Sequence, residues 1–103
     1  MSNSPKIMIE NLAVISGCRE VYYGNKLIEM TGLEFNLLWL LVKSSPEVVS
    51  RESIAKHIFN RRLLEANSSI NMHISTIRKK LLNHAKYSPI KTIKGQGYLF
   101  ITF

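Results

Sequence analysis

The stretch SSINMHISTIRKKLLNHAKYSP, residues 68–89, decides how the rest of the chain is put together. At about 100° of rotation per residue, Ile70, Ile74, Ile77 and Leu81 fall on one side of a helix. Such a stripe docks on neighbouring helices. The opposite side carries Ser68, Met72, Ser75, Thr76 and Lys79. Ser69, His73 and Lys80 flank it on one edge, Asn71 and Arg78 on the other. Small side chains let a helix approach closely whatever lies against it. Ser, Thr and Asn can hydrogen-bond base edges, and Met72 can touch a thymine methyl. Arg78, Lys79 and Lys80 can pair with phosphates. This face therefore suits a DNA major groove, but an ordinary solvated surface helix shows the same periodicity, so the neighbouring elements must decide.

Upstream, Asn67, Ser68 or Ser69 is placed to cap this helix, which is expected to span about residues 68–84. NRRLLEANS before it reads as a loop or an extra turn. A shorter helix, RESIAKHIF, starts after the capping residue Ser50. Before that, Thr31 and Glu34 form a capping-box pattern ahead of LEFNLLWLLVK, a helix apolar nearly all round and so expected to be buried. Leu33, Leu37, Leu40 and Leu41 are its expected stripe, and Pro46 stops it. The first thirty residues read as four short strands: KIMIE, LAVIS, REVYY and KLIEM. YGNK suits a tight hairpin turn. Downstream, IKTIKGQGYLFITF reads as a hairpin over residues 90–103 with a glycine turn. The predicted architecture is α+β: an N-terminal four-stranded antiparallel sheet, three helices and a C-terminal β-hairpin, all one domain spanning 1–103. Two helices and a following hairpin define a winged helix-turn-helix, the second helix of the pair in the major groove and the hairpin as wing.

Charge agrees with this layout. The 103 residues carry a net +7. Residues 1–50 hold four basic and five acidic side chains, whereas residues 51–94 hold ten basic and two acidic. This asymmetry suggests a polyanion partner for the second half, nucleic acid ahead of an anionic membrane or acidic protein; a solvated basic face that only aids solubility is the plain alternative. Cys18 is the only cysteine, which excludes an internal disulfide and a cysteine zinc site. It is expected in an early strand as a buried thiol. The chain has no aspartate, and His57, His73 and His84 have no glutamate at metal-ligand spacing. No catalytic, metal or cofactor-binding set is therefore expected. The absence of a long apolar run points to a cytoplasmic protein rather than a membrane one.

The strings MTGLEFNLLWLL, VVSRE, INMHISTIRKKL and IKTIKGQGYLF, in that order from Met30 to Phe100, resemble the C-terminal DNA-binding domain of OmpR/PhoB-class bacterial response regulators. The resemblance implies DNA contacts from Ser69, Asn71, Met72, His73, Ser75, Thr76, Arg78 and Lys79 in the helix. It implies a contact from Lys94 in the wing, where Gln96 is a further candidate. Arg51, Arg61 and Arg62 are candidate phosphate ligands. The 60–67 segment resembles the family's transactivation loop, which implies RNA polymerase as a possible partner. The resemblance further implies a preceding receiver domain in a longer regulator and binding to direct repeats. The isolated domain is expected to be monomeric and to self-associate on DNA. This chain departs from the family pattern at Asn67–Ser68, where an acidic–Arg pair is usual, and at Asn71, Thr76 and Lys94. The departures keep a second expectation open, a winged-helix protein-interaction module that does not read DNA. A third is an RNA-binding winged helix.

Overall fold

The computed structural model describes residues 6–86 and 88–101. The chain opens with β1 (Lys6–Ile9), β2 (Leu12–Ile15), β3 (Glu20–Tyr23) and β4 (Lys26–Ile28), paired as an antiparallel meander in that order. Alternation along the strands sorts the side chains. Leu12, Val14, Val21 and Ile28 face the core and are buried. Met8, Ala13, Tyr22 and Leu27 pair across the sheet as one row on its other face. The β3–β4 turn closes on Gly24 and Asn25, of which only Gly24 takes a positive φ. The expectation of a buried Cys18 is corrected. Residues 16–19 form the turn between β2 and β3, with Arg19 in the left-handed region, and this carries the thiol out to solvent. There Sγ donates to Glu20 Oε1 at 3.3 Å.

The capping box opens α1 (Gly32–Ser44): Glu34 N donates to Thr31 Oγ1, and Thr31 N donates to Glu34 Oε1. Phe35, Leu37, Leu38, Leu41 and Val42 are buried, and Leu40 partly so. Leu33, expected on the stripe, is instead exposed, and Glu34 is buried in its place. The carboxylate is held inward by its cap bond and by Lys80 Nζ at 2.6 Å. Arg19 ties the first sheet to this helix, donating to Gly32 O at 3.0 Å and lying over the Phe35 ring.

A two-residue strand, β5 (Val49–Ser50), leads into α2 (Arg51–His57), whose first turn is capped by Ser50 as expected. Then come α3 (Leu63–Leu82), β6 (Ile90–Ile93) and β7 (Gly97–Phe100). The second sheet has the order β5-β7-β6. Its third strand was not anticipated, because two residues are too few for a period to show. Lys94, Gly95 and Gln96 form the hairpin tip, with Gln96 N donating to Ile93 O. Residues 102 and 103 of the expected hairpin lie outside the described residues. One apolar core joins the inner face of the first sheet, α1, α2, α3 and the second sheet, including Tyr98 and Phe100. Among the described residues no helix is long and apolar enough to cross a membrane.

Candidate nucleic-acid interface

The stripe on α3 is where the periodicity puts it: Ile70, Ile74, Ile77 and Leu81 are all buried. The expected start of the helix is corrected. It begins at Leu63, five residues before Ser68, and Asn67, Ser68 and Ser69 lie inside it rather than capping it. Arg62 occupies the cap position without a side-chain bond. The sequence did carry the signal: half-buried Leu63 and buried Ala66 continue the stripe backward at helical spacing. The polar run 67–69 resembled a cap and hid it. What remains of the expected 60–67 loop is the turn before α3, with Asn60 at φ 55 and with Arg61 and Arg62 exposed. Arg62 reaches Glu65 at 3.6 Å.

The free face of α3 follows. Ser68, Asn71, Met72, Ser75 and Lys79 are exposed. At the wing tip Lys94 and Gln96 are exposed as well. Four of the predicted residues of α3 are already engaged within the fold. Thr76 Oγ1 donates to Met72 O at 3.0 Å. His73 Nδ1 lies 2.8 Å from Ser69 O, and since a carbonyl only accepts, that nitrogen carries the hydrogen. The His73 ring meets Phe59 edge-on at 5.0 Å. Arg78 Nη2 donates to Ile90 O at 3.0 Å and to Thr92 Oγ1 at 2.7 Å. Arg78 thus fastens the wing to α3. Lys80, expected to meet phosphate, turns to Glu34.

Arg51 completes the fastening from α2. It donates to Tyr98 Oη at 2.7 Å and to Asn67 Oδ1 at 2.7 Å. The Tyr98 ring has the Arg51 guanidinium 5.8 Å from its centroid and that of Arg78 5.7 Å away. Asn67 replaces the acidic residue usual in the resembled family, yet its amide oxygen still accepts from Arg51. α3 and the wing are therefore tied together by neutral acceptors and an aromatic ring. Sequence reasoning did not find this lock, because its members are 12 to 47 residues apart. A groove of about 370 Å³ lies between the wing tip, Leu63 and the start of α2, bordered by Arg51 and Lys94.

A short helix, a turn, a long helix with a small basic free face, and a three-stranded sheet ending in a wing define a winged helix-turn-helix protein. Residues 24–100 match the model of the family described as transcriptional regulatory protein, C terminal, and the chain belongs to that family. The transcriptional regulatory protein CpxR of Escherichia coli (strain K12) is 35% identical over 102 residues, covering 98% of this chain and 44% of CpxR. The CpxR homolog of Haemophilus influenzae is 38% identical over 81 residues, covering 78% of this chain and 36% of that protein. The chain thus spans less than half the length of these relatives. The DNA-binding domain of CpxR from E. coli superposes with a TM-score of 0.86 at 36% identity, covering 96% of this chain and 98% of that one. The Klebsiella pneumoniae RstA DNA-binding domain, solved in complex with the RstA box, gives 0.83 at 28% identity, covering 93% and 96%.

Proposed function

We propose that this chain is the effector domain of a transcription regulator and binds double-stranded DNA sequence-specifically. α3 enters the major groove, and the β6–β7 tip reaches the adjacent minor groove. The observation that carries this reading is the coupling of two surfaces: the free, small, basic face of α3 and a wing locked to that same helix, with Lys94 at its tip. Asn71, Met72, Ser75 and Ser69 face base edges in this arrangement, with His73 and Thr76 beside them. Lys79 and Lys94 meet phosphate or groove potential. Gln96 adds a hydrogen-bonding group at the wing. Arg51 and Arg78 act by positioning, while Arg61 and Arg62 face phosphate or RNA polymerase from the turn before α3. In the cell the domain works in the cytoplasm, follows a receiver domain and occupies direct repeats. It is monomeric until DNA raises its local concentration.

A duplex shift assay at two salt concentrations tests this. The expected result is affinity that falls steeply with salt yet keeps a preference for sites selected from a random pool. Salt-insensitive or absent duplex binding would favour a protein-interaction module instead, and tighter binding to RNA than to DNA would favour the RNA reading.

A further inference from the structure

Resting on the DNA-binding role proposed above, we infer that Met72 is a specificity-determining residue that recognises the 5-methyl group of thymine, with the methyl of Thr76 beside it. Met72 is 60% exposed at the middle of the free face of α3. The other exposed large apolar residues described in this helix, Leu64 and Leu82, sit in its first turn and at its last residue. The neighbours of Met72 at three and four residues' distance are Ser68, Ser69, Ser75 and Thr76, all shorter. The thioether therefore stands above its near neighbours on this face.

Thr76 adds to this apolar spot. Its hydroxyl donates back to Met72 O, so the hydrogen is spent on the helix. What Thr76 offers outward is a methyl group and acceptor lone pairs. Against the edge of guanine or cytosine, a thioether would strip water from hydrogen-bonding groups and give nothing back. Thymine alone presents a methyl group in the major groove. Methionine is unbranched and polarisable, so it can mould itself to that methyl. The polar residues Asn71 and Ser75 beside it remain available for neighbouring base edges.

The test compares duplexes that differ only in the methyl. Sites selected from a random thymine-containing pool are remade with single thymines replaced by 2′-deoxyuridine, which keeps every hydrogen-bonding group. The parent chain should lose about fourfold in affinity for each contacted methyl, the worth of burying one carbon. In Met72→Ala the thymine-to-uracil ratio at those positions should fall close to one. Met72→Leu, which keeps apolar bulk, should retain most of it, and Leu82→Ala should match the parent. Equal binding of the parent to both duplexes, or a ratio untouched by Met72→Ala, overturns the assignment to Met72 and leaves DNA binding standing. Failure to select any common sequence overturns the DNA-reading role itself and this inference with it.

Discussion

At Gly97 two backbones meet with no room for a methyl group. Its φ is 151°, and a Cβ there would lie 2.1 Å from Val49 O and 2.9 Å from Ser50 Cα. Neither atom belongs to a side chain that could swing away, so β5 would have to leave β7. Gly97→Ala should therefore cost about 3 kcal/mol or more, combining overpacking with backbone strain. Gly24→Ala is the control, because φ is 62° there but nothing lies within 4 Å. It should cost only about 1 kcal/mol. Thermal melts of the two variants check the difference, and equal melting temperatures would disprove the close β5–β7 approach. The glycine turn was legible from IKGQGY alone, but the reason for Gly97 was not, since Val49 lies far away in sequence. The same holds for the candidate site. Periodicity told which residues of α3 point outward, and so located Asn71, Met72, Ser75 and Lys79. It could not tell which heads are taken, as Arg78 is by Ile90 and Thr92.

Helix α3 is registered on α1 by a charged contact as well as by its apolar stripe. Glu34 Oε1 accepts from Lys80 Nζ and from the backbone of Thr31 in a buried setting. Burial pushes the Glu34 carboxyl up, but the Lys80 hydrogen bond, the Thr31 N–H and the nearby positive charges outweigh it, so its pKa lies below the ordinary glutamate value. The folded state thus holds the proton less tightly than the unfolded chain. The stability this contributes is present above the ordinary glutamate pKa and is lost as pH falls through the lower folded value. Glu34→Gln, which can keep the cap bond but not the charge, should be less stable than the parent at neutral pH. The gap should close on acidification below the ordinary glutamate range. Melts from neutral pH downward check this, and a gap that stays constant would show that the charge is idle. Lys80→Met leaves the buried carboxylate its Thr31 N–H but no counter-ion and should cost on the order of 2 kcal/mol, less than for a fully buried pair because Lys80 is partly exposed. The capping box of α1 was legible because its two members are three residues apart. The Lys80 contact was not, because it spans 46 residues, and the same distance concealed why Glu34 rather than Leu33 turns inward.

Across the whole molecule, field and contact are separable. The excess of ten basic over two acidic residues in 51–94 sets up a positive field over the helices and the wing. Only some of these cations are free to touch a partner. Arg51 and Arg78 are held by Tyr98, Asn67, Ile90 and Thr92, and Lys80 by Glu34. Lys79 and Lys94 are exposed, with no hydrogen bond or ion pair to another described residue. Each neutralised phosphate adds about 0.9 to the slope of log affinity against log salt. Lys79→Ala and Lys94→Ala should therefore each lower that slope by about one phosphate's worth, with melting temperatures close to the parent's. Arg78→Ala should differ in kind: it removes one of the ties between the wing and α3, so its stability should fall by about 1–2 kcal/mol for charge-assisted bonds lost. Lys43→Ala, exposed at the last turn of α1 in the acidic half of the chain, is the control and should leave the slope unchanged. Titrations of one selected duplex at several salt concentrations, paired with melts, separate the groups. A slope unchanged in Lys94→Ala would mean that the wing tip does not meet the backbone. A slope lowered equally by Lys43→Ala would mean that the whole-molecule field, not the α3 and wing contacts, sets the affinity.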